Sequence, residues 1–276
     1  MTGFLSRRAE LRVVSLRFVE EKRVAAIPEA LVAEQIARFK AVLKRYHINK
    51  ASHIFNIDEC GVSFDKMNCR SLPRGVAHAS VSRAMHVAII RTRGNLNHVT
   101  VMAVISADGK EYNLFVVSPG KLPHYRRLHN GKIQTVHDLL PPCYLYQRDP
   151  AGVDTRIFYS WAEHFFEETK ELRKVGQYIA VIVDGYSSHV QHEVLHHLQD
   201  NRLHVIALPS HSSHFLQPLD VTLFSPFKSA LQGEMHKATR HTRCLDVFGA
   251  ASFIKAAYKA AFTSSNIIRG FEATGL

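Results

Sequence analysis

An α/β fold, with a mixed sheet and helices on both faces, is what the sequence predicts, and three observations carry that reading. Three short β-rich runs come first, two of them joined by a tight-turn dipeptide, which makes an antiparallel opening. Two further β-branched runs follow, set apart by amphipathic stretches of helical period, and strands joined by helical crossovers lie parallel. With 276 residues, 46% apolar and 21% charged, the chain can bury a substantial core and lies far from the composition of a disordered polymer.

Between Pro28 and Tyr46, Leu31, Ile36, Phe39 and Leu43 recur at helical spacing among Glu34, Arg38, Lys40 and Lys44, an amphipathic helix ahead of the sheet. Residues 1–50 are accordingly read as a helical lead-in and residues 51–276 as the main domain. The run from His53 to Asp58 is the first strand, stopped by Gly61 and ending on a carboxylate. Val99–Ile105 and Asn113–Val117 are the next two, joined as a hairpin through Asp108-Gly109. Residues 118–157 hold several Pro and Gly without a sustained period and read as an irregular connection. Phe158, Trp161, Ala162, Phe165 and Phe166 then share one helix face, with Glu163, Glu167, Glu168 and Lys170 elsewhere. Tyr178–Asp184 is a continuous apolar run with Asp184 at its end, the pattern of a strand buried on both faces, and Gly185 closes it. A helix from about Ser188 to Asn201 carries Val190, Val194 and Leu198 on one stripe, Leu203–Leu208 is the last strand before Pro209, and a last helix begins near Asp220. The order β-β-β-α-β-α-β-α is the ribonuclease-H-like one.

Several classes are excluded. No run of 18 apolar residues exists, and charges interrupt the opening MTGFLSRRAELRVV, so neither a membrane span nor a secretory signal is supported, and the chain is expected inside the cell. Cys60, Cys69, Cys143 and Cys244 form no CxxC pair and fit reduced thiols. The net charge of +11 makes a polyanion the first partner to consider. Against that background residues 151–230 are an acidic island, with 6 basic and 9 acidic residues.

Asp58 at the end of the first strand, Asp184 at the end of the fourth and Asp220 after the fifth can converge at one sheet edge, where α/β folds place their sites. The 35 residues between Asp184 and Asp220 suffice for one helix, one strand and a return loop. Three close carboxylates repel one another unless cations neutralise them, and all-oxygen ligands suit Mg²⁺ or Mn²⁺. Two such ions suit phosphodiester chemistry, one activating a water or hydroxyl and the other stabilising the leaving oxygen.

At these residues a resemblance becomes specific. The blocks IFNIDECGVSF, VIVDGYSSH and LPSHSSHFLQPLDVTLFSPFK resemble, in order and spacing, the three motif blocks of the DDE superfamily of endonucleases, in particular pogo/Jerky-like transposases. SSNIIRGFEATGL is similar to the segment that closes this family's catalytic domain, and GFLSRRAELRVV to its lead-in. The resemblance implies a ribonuclease-H-like DDE endonuclease domain over residues 51–276, with Asp58, Asp184 and Asp220 binding two Mg²⁺ or Mn²⁺ ions and cutting and rejoining DNA. It also implies a transposable-element origin, a nuclear location, DNA and a second copy of the chain as partners, and neither a membrane nor a small-molecule substrate. Residues 1–50 then correspond to the linker after a helix-turn-helix region that this sequence lacks. Cys60 and Val62 stand where the family favours Thr and an aromatic residue.

Other residues divide between functional and ordinary readings. Glu59 adjoins Asp58, but strand neighbours point to opposite faces, so it stands behind the metal-binding set or on the surface. Asp108 is explained by turn chemistry. His189 matches the family's Asp-x-x-x-x-His block and stands either near the metal site or in a structural hydrogen bond, with His211 and His214 as similar cases. Lys228, two helical turns after Asp220, is placed to meet a DNA phosphate. Arg7, Arg8, Arg12 and Arg17 form a phosphate-contacting stripe or a solvated helix face. The competing functions are a catalytically inactive, host-adopted nuclear DNA-binding protein and, with less support, a zinc hydrolase built on the HExxH formed by His192, Glu193 and His196.

Overall fold

A computed structural model describes residues 29–64, 91–92, 98–119, 126–148, 152–174, 176–185, 192–209, 212–239, 244–245 and 247–276. Helix α1 (Glu29–Arg45) leads into β1 (Ile54–Ser63), β2 (His98–Ser106) and β3 (Leu114–Ser118). A small hairpin, β4 (Arg126–His129) and β5 (Lys132–Thr135), precedes β6 (Cys143–Gln147). Then come α2 (Thr155–Thr169), β7 (Ile179–Val183), α3 (His192–Asp200) and β8 (Leu203–Ala207). The chain ends in α4 (Ser213–Leu216), a π-helical turn (Leu219–Leu223), α5 (Phe224–Thr239), α6 (Val247–Ala261) and α7 (Ser264–Thr274).

The central sheet has six strands in the order β6-β3-β2-β1-β7-β8. β1, β2 and β3 are antiparallel neighbours, while β1 with β7, β7 with β8 and β3 with β6 pair in parallel. This is the mixed sheet that the sequence pattern requires. Its two faces follow strand alternation. Phe55, Ile57, Met102 and Val181 bury one face against Phe158, Trp161 and Phe165 of α2 and Val194 and Leu198 of α3. Val62, Val101, Ala180 and Ile182 bury the other against Phe39 of α1, Leu219 and Leu223 of the π turn, and Phe227, Ile254 and Phe271 of α5, α6 and α7. β7, apolar and fully buried over all five residues, reads as a continuous hydrophobic run because it is covered on both sides.

The structure departs from the sequence expectation in three places. β1 does not stop at Asp58 or at Gly61: it continues to Ser63, because residues 58–63 stay paired with β2 after the parallel pairing with β7 has ended at Asn56↔Ile182. The stretch 118–157 is not irregular throughout. It holds the β4–β5 hairpin and β6, the edge strand that extends the sheet beyond β3, in a β-rich run hidden between Pro141-Pro142 and Arg148. Beyond the last expected helix, α6 and α7 complete the layer over the triad's face. Elsewhere the spans agree within a few residues, including the Asp108-Gly109 turn, where Gly109 adopts φ 91°. His189, His211, Cys69, Arg7, Arg8, Arg12 and Arg17 lie outside the described residues.

Phe55 is fully buried and meets Tyr112 and Phe165 edge-on, with ring centroids 5.2 and 5.1 Å apart. Phe55→Ala is expected to cost about 3–5 kcal/mol. A urea titration checks this as a lower midpoint at unchanged slope.

Candidate active site

The site begins with the register of two parallel strands. Ile54 pairs with Ala180 and Asn56 with Ile182, so two residues further along Asp58 stands beside Asp184, just past the end of the pairing. Alternation puts both on the face covered by the π turn and α5–α7, because Ala180, Ile182 and Cys60, which share their parity, belong to that core. Asp220 lies in the π turn itself, packed over β1. π-helical turns often occur at functional sites.

What holds that turn against the sheet is a pair of buried amides that the sequence reading did not single out. Asn56 has no exposed surface. Its Nδ2 donates to the Ile182 carbonyl (3.1 Å) and its Oδ1 accepts from the Leu219 N–H (3.0 Å), which ties β1, β7 and the residue before Asp220 to one side chain. Gln217, equally buried, donates from Nε2 to the Ile57 carbonyl (3.4 Å). The available signal for Asn56 was its position two residues before Asp58, on the same face and polar inside an otherwise apolar run. On the far side of the turn, Gly270 of α7 sits so close that a Cβ there would lie 2.6 Å from Thr222 Oγ1 and 3.0 Å from the Pro218 carbonyl. The SSNIIRGF block thus seats α7 directly on the segment that presents Asp220.

Asp58 is 8% exposed. Its carboxyl is pushed well above the ordinary value of 3.8, first by burial, then by the negative charge of Asp220, with Asp184 adding to the rise and the Glu59 backbone N–H opposing it. Among the described residues no three His, Cys, Asp or Glu side chains form a ready ion-binding group. The donor set nevertheless fits a hard divalent cation. A desolvated carboxylate facing two others is relieved only by a proton or a cation, and all the donors are oxygen. Burial pushes the neighbouring Cys60 thiol up to about 11, while the Lys228 ammonium hydrogen-bonds it and pulls the other way. Lys228, otherwise exposed, therefore stands at the rim of the carboxylate group.

The remaining candidates are dispersed. Strand parity directs Glu59 to the opposite face of β1, toward α2 and α3. His214 is half-buried with Nε2 making no hydrogen bond among the described residues, and its ring lies 4.1 Å from that of Phe215. α3, which carries the HExxH, packs Val194 and Leu198 on the face away from the aspartates. There Glu193 and His196 are exposed, and it is His197 that pairs, through Nε2, with Glu163 (2.6 Å) and stacks on Tyr159.

Residues 96–271 match the family model of the DDE superfamily endonucleases. The match takes in Asp184 and Asp220 and begins after Asp58, whose place beside them rests on the β1–β7 register. A curated relative, the MFS-type transporter clz9 of Cochliobolus lunatus, is 27% identical over 224 residues. Those residues are 81% of this chain and 23% of the relative, so the chain spans about a quarter of that protein's length. No described helix is long and apolar enough to cross a membrane. Among solved structures, the crystal structure of the Mos1 mariner paired-end complex with Mn is similar with a TM-score of 0.50 at 13% identity, over 99% of this chain and 66% of that one. The fold is ribonuclease-H-like.

Asn56→Ala leaves the Leu219 N–H unsatisfied in the core and removes a second hydrogen bond from the Ile182 carbonyl, and a loss of about 1–3 kcal/mol in unfolding free energy is expected by urea titration. Asp58 gives the opposite sign. Because its folded value is raised, the native state holds more protons than the unfolded chain between 3.8 and that raised value, and stability falls as pH rises through this window. In chelator at neutral pH, Asp58→Asn is expected to melt higher than wild type, by about 2–4 °C per kcal/mol relieved. Mn²⁺ is expected to raise the melting temperature of wild type and much less that of the variant. Scanning calorimetry with and without EDTA measures both.

Proposed function

Since the chain belongs to the DDE superfamily of endonucleases, we propose that it is a transposase-derived catalytic domain that cuts and transfers DNA strands with two bound Mg²⁺ or Mn²⁺ ions, in the nucleus and together with a second copy of itself. The observation that carries the reading is the β1–β7 register with the Asn56 tie, which brings Asp58 and Asp184 together beneath the turn that bears Asp220.

Asp58, Asp184 and Asp220 are the groups that would hold the ions. When bound, the ions supply Lewis-acid activation of a water or a 3′-hydroxyl and stabilise the leaving oxygen of an in-line displacement. The chain's own contribution is position. Asp58 and Asp184 are fixed by adjacent strands, Asp220 by a turn held through buried amides and pressed by α7, so the carboxylates are arranged before any substrate arrives. Burial of Asp58 also removes competing water from one side of the site. Lys228 supplies a cation at the rim, where a phosphate of the bound strand would lie. The charge of +11 supports a polyanionic substrate and steers it toward the protein.

The test is nicking of supercoiled plasmid at low salt with Mg²⁺, Mn²⁺ or EDTA. Wild type is expected to nick only with a divalent ion, and Asp184→Asn to lose at least about 100-fold in rate, the scale on which losing one group that stabilises the transition state is felt. A folded wild-type chain that binds DNA without nicking under any of these ions would establish the catalytically inactive DNA-binding protein instead. Nicking that needed zinc and the His196 side chain would move the chemistry to α3.

A further inference from the structure

We infer that the β4–β5 hairpin is a DNA-contacting ribbon that enters a groove of the duplex beside the carboxylate site, an inference that rests on the reading of the chain as a DNA-cutting domain. Three observations lead there. The two strands pair only with each other, in a two-residue hairpin whose tip residues Asn130 and Gly131 have φ of 50° and 74°, the type I′ geometry. An isolated two-stranded ribbon is marginal in water, and this one leaves Ile133 69% exposed, the highest value among the exposed large hydrophobic residues described. A solvent-facing ribbon paired only with itself among the described residues, with an apolar residue outward, calls for a partner.

Charge identifies the partner. Between Glu111 and Asp138 the sequence contains no acidic residue and four basic ones, Lys121, Arg126, Arg127 and Lys132. Arg126, His129 and Lys132 are exposed on the ribbon, and His129 and Lys132 face each other across its end. With Asp138 at the base of the hairpin, bonded to Thr135, as its one acidic neighbour in sequence, this basic edge attracts a polyanion. A two-stranded β-ribbon also has the dimensions of the DNA major groove, about 12 Å wide, where basic side chains meet phosphates along the walls and an apolar side chain can meet a thymine methyl group on the floor.

Position agrees. β3 runs in the same direction as β1, since both are antiparallel to β2. Asp58 is level with Leu114 through Ala103, so the chain leaves β3 at Ser118 four residues, about 13 Å, beyond the aspartates in the direction in which β1 delivers them. The hairpin is rooted on the triad's side of the sheet, because Val136 and Leu140, directly after it, are buried in the core under α5–α7. There Lys255 of α6 donates to the Asp138 carbonyl (3.2 Å). Laterally the β3–β6 pair that carries the root lies two to three strand spacings, about 10–15 Å, from β1. Together with the roughly 13 Å along the strand this is about 16–20 Å, well inside the 34 Å of one turn of duplex, so one DNA molecule can occupy both places.

The experiment measures binding of a fluorescein-labelled 30-base-pair duplex by the full chain in EDTA, at three salt concentrations, for wild type, Arg126→Gln/Lys132→Gln and Ile133→Ser, with melting curves confirming equal folding. Removing two phosphate contacts is expected to lower the slope of log K against log salt by about 1.8 and to raise Kd at 0.1 M salt by about tenfold or more. Ile133→Ser is expected to raise Kd with the slope unchanged. Variants that bind with the wild-type Kd and slope overturn the ribbon and leave the nuclease reading standing if wild type still nicks plasmid. A wild type that neither binds nor nicks overturns both. If Ile133→Ser instead abolishes self-association in sedimentation while DNA binding stays at the wild-type level, the ribbon is a contact between copies and the inference fails.

Discussion

The site depends on one amide. Asn56 sits without exposed surface where β1, β7 and the π turn meet, and its two ends face groups of opposite kind, a carbonyl of β7 and an N–H of the turn. A hydrocarbon of the same size would leave the Leu219 N–H dry and unpaired, at a cost of about 1–3 kcal/mol, and would take a second hydrogen bond from the Ile182 carbonyl. A carboxylate would satisfy the N–H but repel the carbonyl, and would add a fourth negative charge beneath three. A primary amide donates from one end and accepts at the other while staying neutral, which explains why a polar residue stands in the most apolar part of the sheet.

Around that tie the arrangement follows from parity. In β1, odd-numbered residues such as Phe55 and Ile57 go to the α2–α3 layer and even-numbered ones to the layer that holds the π turn. Asp58 inherits its direction from Asn56, and Asp184 inherits it from Ile182 through a parallel register in which a slip by one residue would exchange every β7 side chain between the two packed layers. The same logic separates the HExxH of α3 from the aspartates: its helix is held by Val194 and Leu198 on the other face, with the sheet between.

Much of this was legible in the sequence, and the parts that were not share a cause. Asp184 could be placed because β7 is buried on both sides and its apolar run ends sharply. β1 was cut short because Gly61 looks like a stop, whereas pairing with β2 on one edge is enough to carry a strand past it. β6 and the β4–β5 hairpin escaped because Tyr144, Tyr146, Arg126 and Lys132 are half-exposed or exposed and blur the alternation. Asn56 escaped because a lone Asn reads as a turn former unless its partners are known, and those partners lie 126 and 163 residues away in the chain. Local pattern reports burial and period, and long-range hydrogen bonding leaves no local trace.

The resulting architecture sets stability against readiness. Burial raises Asp58 because an ionised carboxylate there is desolvated and faces Asp220 and Asp184, so its ionised form works against the fold. The opposing contribution comes from where the site is built: β7 fully buried, Leu219 and Leu223 packed beneath the π turn, and Gly270 letting α7 close on it. A site on exposed loops would relax, let water in and lose the charge crowding. Asp58, buried in the fold, keeps its repulsion from the more exposed Asp184 and Asp220. On the proposed reading, affinity for an ion and the cost of the crowded carboxylates to the fold are two readings of the same electrostatic energy, and a substitution that relieves one must weaken the other.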